Sequence, residues 1–155
     1  MSDFLNPNNK VPILSKGGFK KVLTYLDITE DNVELSDYIF ISILNTDLIG
    51  DNDGYFKNNK SNVLILNFDD VFEDSNKGSF TDKQALEIIN FINENKDKIE
   101  NSKCVVHCSA GVSRSGAVGT FINDYFSFNS EDFKYFNHSI CPNKLVLDIL
   151  KKVSD

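Results

Sequence analysis

Residues 104–116 read Cys104-Val105-Val106-His107-Cys108-Ser109-Ala110-Gly111-Val112-Ser113-Arg114-Ser115-Gly116, and this stretch decides the fold. The run before Cys108 is short and apolar, as in a buried strand, and the apolar spacing after Gly116 is helical. A loop between a strand and a helix directs its backbone N–H groups, and the positive end of the helix dipole, toward an anion. The stretch therefore predicts a phosphate-binding loop, in which Gly111 allows a close backbone approach.

Two side chains give this loop its predicted chemistry. Arg114 is the only arginine of the chain, whereas the other fifteen basic residues are lysine. The planar guanidinium grips phosphate oxygens with two directed donors, which lysine cannot do. Cys108 lies where the loop's positive partial charges converge, so we expect its pKa to fall below about 8.5 and its thiolate to be nucleophilic at neutral pH.

The rest of the chain alternates between apolar runs typical of strands and amphipathic stretches typical of helices. We predict strands over residues 11–14, 38–44, 63–68 and 104–107, and helices over 19–26 and 82–97, after Gly116, and from Pro142 onward. The strands at 38–44 and 63–68 are nearly continuous apolar runs, as expected of strands buried on both faces. Thr81 and Gln84 have the spacing of a capping box at the start of the second helix. This alternation predicts a single α/β domain over residues 1–155, with a mostly parallel sheet of about four to five strands and helices on both faces.

Composition and charge exclude several classes of function. The 155 residues are 41% hydrophobic and 25% charged, and the net charge of −7 offers nucleic acid or an anionic membrane no overall attraction. Three cysteines without disulfide-framework spacing fit a reducing compartment. We therefore expect a cytoplasmic monomer that binds neither nucleic acid nor membranes.

The signature around Cys108 resembles that of the cysteine-based protein phosphatases: His-Cys, five residues, then Arg followed by Ser or Thr. His107-Cys108-Ser109-Ala110-Gly111-Val112-Ser113-Arg114-Ser115 resembles the dual-specificity branch most closely. The resemblance extends upstream to residues 66–70 and downstream to Pro142-Asn143, so it covers roughly residues 38–153. The first 35 residues carry little of it.

The resemblance implies a role for each residue of the signature. Cys108 attacks phosphorus and forms a cysteinyl phosphate, while Arg114 and the N–H groups of residues 109–114 hold the phosphate oxygens. Ser115 stabilises the thiolate as it leaves in the second step. His107 supports the loop backbone and the ionisation of Cys108, and Ser113 shapes the loop. No metal or other cofactor is implied.

The family takes its general acid from an aspartate that follows an upstream strand, and Asp69 and Asp70 both qualify by position. We choose Asp70, because it is in phase with Leu66 and Phe68 along the strand. The alternative role for either residue is a simple turn.

The function expected from the resemblance is metal-independent hydrolysis of phosphotyrosine, phosphoserine or phosphothreonine in phosphorylated protein substrates. The alternatives are a phosphate-binding pseudophosphatase and a phosphatase of phosphoinositides or RNA 5′-phosphates. Neutral residues at positions 109, 110 and 112 disfavour highly charged substrates.

Three further patterns receive a structural interpretation. Cys104 and His107 have a spacing that suits zinc, but they point to opposite faces of a strand. Residues 51–54 resemble part of a calcium loop without its first and last carboxylates, so we predict a turn. Cys141 could act as a redox partner of Cys108 if its segment folds near the loop.

Overall fold

Four parallel strands form the central sheet of the computed structural model, which describes residues 2–48, 56–73 and 77–155. The strands are β1 (Ile13–Leu14), β2 (Ile39–Leu44), β3 (Val63–Asn67) and β4 (Cys104–His107), in the order β1-β4-β2-β3 across the sheet. The predicted α/β fold with a parallel sheet is confirmed. The turn predicted at residues 51–54 lies outside the described residues.

Seven helices surround the sheet within the described ranges. They are α1 (Ser2–Leu5), α2 (Lys16–Tyr25), α3 (Asp82–Glu94), α4 (Lys96–Glu100), α5 (Arg114–Tyr125), α6 (Ser130–Phe136) and α7 (Lys144–Ser154), with short 3₁₀ helices at Val33–Leu35 and Thr46–Leu48. The predicted capping box is present at the start of α3, where Thr81 and Gln84 cap each other. No described helix has the length and apolar character needed to cross a bilayer.

The helices cover both faces of the sheet because successive strand residues point to opposite sides. On one face, Ile39, Ile41 and Ile43 of β2 belong to a core shared with α3, α5 and α7. On the other face, Phe40 and Leu44 belong to a second core shared with α1 and α2. All six residues of β2 are buried, as predicted for a strand covered on both sides.

Three details of the predicted elements are wrong. The strand at residues 63–68 was expected to be buried on both faces, but β3 forms an edge of the sheet and leaves Ile65 partly exposed. The helix predicted over residues 82–97 ends at Glu94, because Asn95 departs from helical geometry and its side chain donates to Phe91 O. Pro142 precedes the last helix, whose N-cap is Asn143.

Strand β4 lies between β1 and β2, so the loop that follows it emerges from the middle of the sheet. Because all four strands are parallel, their carboxyl ends meet at one edge. Open α/β sheets bind ligands at this edge. The fold therefore brings the segments after β1, β2 and β3 around the loop after β4.

Candidate active site

Cys108 lies at the base of the loop between β4 and α5, with 3% of its surface exposed. Its Sγ is 3.0 Å from Ser115 Oγ, and the backbone N–H groups of Gly111, Val112 and Ser115 also donate to it. Burial alone opposes ionisation of the thiol, but these donors outweigh it and hold the pKa of Cys108 below its ordinary value. The predicted thiolate nucleophile thus has a geometric basis.

The loop also has the donors that a phosphate needs. In the parts of the chain that the structure describes, none of the N–H groups of residues 109–114 donates to a protein oxygen. The first turn of α5 begins at Arg114, so the positive end of its dipole adds to the same region. Oriented N–H groups without protein oxygen acceptors form a site for an anion above the thiol.

Arg114 is almost fully buried, and protein acceptors fix one side of its guanidinium. Its Nη1 donates to Asn45 Oδ1 at 2.6 Å and to the carbonyl of Phe68 at 2.8 Å. Its Nη2 donates to Ser109 Oγ at 3.3 Å. A guanidinium has five N–H donors; among the described residues Nε has no acceptor and Nη2 has one, so two N–H groups remain for a ligand. Nε and Nη2 are neighbouring nitrogens of the guanidinium, which suits contact with phosphate oxygens.

The start of the chain supports the loop from the other side. Gly111 has a φ of +73°, and a Cβ built there would lie 2.6 Å from the backbone nitrogen of Ser15, so both conformation and space require glycine. The N–H of Lys16 donates to Ser109 O at 3.0 Å. The backbone of Lys16 therefore contacts the loop, which the sequence had not indicated.

His107 is buried between the loop and the second core and is uncharged. Its Nδ1 is 3.3 Å from Cys108 O and its Nε2 is 2.6 Å from Ser42 Oγ, while its ring stacks on Phe19. Because a carbonyl only accepts, we assign the proton to Nδ1, and Nε2 then accepts from Ser42. Burial lowers the pKa of His107 to about 4, so the ring supports the loop without adding charge.

The two candidate acids have different surroundings. Asp69 accepts from the N–H and the hydroxyl of Thr46, both at 2.9 Å, and these bonds lower its pKa. Asp70 is exposed, and its Oδ1 accepts from Ser113 Oγ at 2.8 Å. Asp69 therefore holds a turn, whereas Asp70 contacts the phosphate-binding loop. This arrangement favours the prediction that Asp70 is the general acid.

The structure brings together every residue that the sequence predicted for the site: Cys108, Arg114, Ser115, Asp70, His107 and the loop residues Ser109, Ala110, Gly111, Val112 and Ser113. The segment of Cys141 also folds against this loop, because its N–H donates to Val112 O at 3.0 Å. Cys104 and His107 face different cores and cannot share a metal ion.

Sequence reasoning missed four residues of the site. Asn45 directly follows β2 and binds Arg114, whereas Ser42 lies within β2 and binds His107. The backbone of Lys16, at the start of α2, and that of Asn143, at the start of α7, contact the loop. The position of Asn45 directly after a buried strand is a signal that could have identified it, because parallel strands deliver such residues to the binding edge. Asn143 has the position of an N-cap, but no sequence pattern links it to Asp70.

Comparisons with known proteins agree with this geometry. Residues 74–131 match the model of the protein-tyrosine phosphatase family. The matched segment contains Cys108, Arg114 and Ser115, and it begins after Asp70. A sequence search of curated proteins finds no match.

Two solved structures have a similar fold. One is the human tyrosine phosphatase-like serine/threonine/tyrosine-interacting protein, with a TM-score of 0.52 and 21% identity over 90% of this chain and 84% of that one. The other is PTPMT1 in complex with PI(5)P, with a TM-score of 0.51 and 15% identity over 96% of this chain and 92% of that one. The family match and the shared fold confirm the predicted resemblance to the cysteine-based protein phosphatase superfamily.

Proposed function

We propose that this chain, which resembles the cysteine-based protein phosphatases in fold and in part of its sequence, is an active, metal-independent phosphomonoesterase. The observation that carries the proposal is the surroundings of Cys108: a buried thiol whose pKa is lowered by Ser115 and loop N–H groups, beside a guanidinium with two neighbouring donors left for a ligand. A thiolate at the base of an anion site is placed to attack a bound phosphate.

The proposed reaction has two steps. In the first, Cys108 Sγ forms a bond to phosphorus, the bond from phosphorus to the leaving oxygen breaks, and Asp70 gives that oxygen a proton. In the second, water attacks phosphorus, Asp70 takes a proton from the water, and the bond from sulfur to phosphorus breaks. Arg114 and the loop N–H groups stabilise the charge on the equatorial oxygens throughout. The products are an alcohol or phenol and inorganic phosphate.

Ser115 favours turnover over simple phosphate binding. A binding module needs the N–H groups and Arg114, but it gains nothing from a hydroxyl 3.0 Å from the thiol. In the second step this hydroxyl stabilises the thiolate as it leaves phosphorus. Asp70, beside the loop, is placed to transfer protons. A binding module has no need of such a residue.

As substrates we propose phosphotyrosine and phosphoserine or phosphothreonine residues of proteins. Ser109 and Ala110 are exposed and uncharged at the mouth of the loop, and one guanidinium matches one phosphate group. We expect kcat/KM to be higher for phosphotyrosine and phosphothreonine peptides than for phosphoinositide vesicles or RNA 5′-triphosphate.

The test is hydrolysis of p-nitrophenyl phosphate in two separate assays, one with EDTA and one with vanadate, because EDTA binds vanadate. We expect turnover that EDTA leaves unchanged and that vanadate, an analogue of the pentacoordinate phosphorus, inhibits. Absence of turnover together with retained phosphate binding would identify a binding module instead. Turnover that EDTA abolishes would contradict the metal-independent mechanism.

A further inference from the structure

Asn143 connects three parts of the molecule, and its side chain is buried, with 1% of its surface exposed. Its backbone N–H donates to Ser113 O in the phosphate-binding loop at 3.0 Å. Its side-chain Oδ1 accepts from Val146 N–H at 3.1 Å and so caps α7. Its Nδ2 donates to Asp70 Oδ1 at 2.8 Å and to Val71 O at 3.0 Å. One residue therefore ties the acid segment, through its side chain, to helix α7 and, through its backbone, to the loop.

The carboxyl group of Asp70 is held by one oxygen only. Oδ1 accepts from both Asn143 Nδ2 and Ser113 Oγ, each at 2.8 Å. Oδ2 accepts no hydrogen bond from any residue in the ranges that the structure describes. An amide Nδ2 can only donate, so a proton on Oδ1 would face another hydrogen. The carboxyl proton therefore belongs on Oδ2.

We propose that Asn143 is a positioning residue for proton transfer, and that Oδ2 of Asp70 is the oxygen that exchanges the proton. This inference rests on the proposed phosphatase function. As the bond from phosphorus to the leaving oxygen breaks, the proton moves from Oδ2 to that oxygen, and Asn143 continues to hold Oδ1. In the second step Oδ2 accepts a proton from the attacking water.

The fold explains why Asn143 can hold an exposed carboxyl group in place. Helix α7 packs against α3 and α5 through Val146 and Leu150, which are buried in the core of that face. The N-cap bond fixes the Asn143 side chain relative to this helix. The bond to Val71 O restrains the acid segment on the other side of Asp70. Proton transfer benefits when the acid is held in one geometry before the reaction.

The test uses Asn143→Ser, because serine keeps an N-cap for α7 but has no amide to donate to Asp70. The matched control is Asn129→Ser, which changes the N-cap of α6, where Asn129 accepts from Asp132 N–H away from the site. The measurement is kcat for phenyl phosphate, a poor leaving group, and for p-nitrophenyl phosphate, a good one.

We expect Asn143→Ser to lower the ratio of kcat for phenyl phosphate to kcat for p-nitrophenyl phosphate by roughly 10-fold, because only the poor leaving group depends fully on the acid. Asn129→Ser should leave the ratio unchanged. In an Asp70→Asn background, Asn143→Ser should have no further effect on the ratio. Asn143→Asp keeps the cap and places a carboxylate against Asp70, so it should lower the ratio as well. This variant replaces Asn143→Ser in the test if the serine variant does not fold.

Equal losses on both substrates, or a further loss in the Asp70→Asn background, would show that Asn143 acts through the stability of the loop and would overturn the inference. An unchanged ratio in both Asn143 variants would do the same. In these cases the wild-type protein still hydrolyses both substrates, so the proposed function stands. A wild-type protein without turnover would overturn both proposals.

Discussion

A cysteine thiol lies at each end of strand β4, and the pKa values of the two thiols are shifted in opposite directions. Cys104 begins the strand in the apolar core, and burial raises its pKa to about 12. Cys108 follows the end of the strand and is also buried, so desolvation again opposes ionisation. There, however, the Ser115 hydroxyl and the backbone N–H groups of Ser115, Gly111 and Val112 outweigh desolvation and lower the pKa.

The difference between the two cysteines shows that oriented donors, and not exposure, determine which thiol has the lowered pKa. The carboxyl end of a parallel strand leads into a loop and the positive end of a helix, both of which favour negative charge. At the amino end of the same strand, Cys104 lies in the apolar core, which favours the neutral thiol. The carboxyl edge of the sheet therefore favours an ionised thiol, and it is where we propose that Cys108 acts as the nucleophile.

The largest expected effect comes from exchanging sulfur for oxygen at each end of the strand. Cys108→Ser should lower kcat for p-nitrophenyl phosphate by at least about 10⁴-fold, because a serine hydroxyl at this site does not ionise. Cys104→Ser should keep kcat within about 2-fold and lower the free energy of unfolding by about 1–3 kcal/mol, since it buries a hydroxyl among apolar groups. Steady-state kinetics and urea unfolding measure the two effects. Turnover retained by Cys108→Ser would contradict the covalent mechanism.

The two neighbouring aspartates test whether the carboxyl edge of the sheet also has one specific acid. Asp70→Asn should lower kcat for phenyl phosphate by about 10²–10⁴-fold and flatten its pH profile. Asp69→Asn should have little effect on kcat but should lower the free energy of unfolding by about 1 kcal/mol, because it weakens the bonds from Thr46. The reverse pattern, with the large loss in Asp69→Asn, would show that the acid was assigned to the wrong residue.

Ser115 is the side-chain donor that distinguishes the surroundings of the Cys108 thiol from those of the Cys104 thiol. Ser115→Ala should raise the pKa of Cys108 and slow the breakdown of the cysteinyl phosphate roughly 10-fold. Rapid mixing with p-nitrophenyl phosphate should then show a burst of product followed by slow turnover. Ser130→Ala, at the exposed start of α6, is the control. A variant without a burst and with wild-type kcat would remove Ser115 from the mechanism.

The last expected effect concerns stability alone, and it lies in how the free energy of unfolding depends on pH. His107 has a folded pKa of about 4, below the ordinary value of 6.5, so the unfolded chain binds more protons between these values. Stability should therefore fall as pH decreases from about 6.5 to 4, by roughly 3 kcal/mol from this residue alone. His107→Asn should remove that part of the pH dependence, measured by urea unfolding over this pH range. Equal slopes in the wild-type protein and in His107→Asn would contradict the buried neutral state of His107.

Much of the fold could be predicted from the sequence because local patterns specify it. The apolar runs of β2 and β4, the capping box of α3 and the helical spacing after Gly116 are each read from neighbouring residues. The short helices α4 and α6 escaped prediction, since five to seven residues give too few repeats of the helical period. The end of α3 was missed because the Asn95 side chain also bonds across to Ser61 O, a contact between distant segments.

The core of the site could also be predicted, because one continuous stretch holds Cys108, Arg114 and Ser115. The residues that arrange them could not. Asn45 and Asn143 lie 69 and 29 positions from Arg114 by number and reach it or its loop only in the folded chain. Asparagine and lysine are also common throughout this sequence, so neither Asn143 nor Lys16 stands out before the structure is known.

The most direct test of the central claim measures the alkylation rate of all three cysteines at once. Native protein is treated with iodoacetamide over a range of pH together with N-acetylcysteinamide as a reference thiol, and labelling is quantified for the separate peptides of Cys104, Cys108 and Cys141. Only the thiolate reacts. We predict that labelling of Cys108 continues to lower pH than that of the reference thiol, is blocked by vanadate, and occurs without labelling of Cys104. Labelling of Cys108 that requires a higher pH than the reference thiol would contradict the account, because it would mean that burial outweighs the donors of the loop.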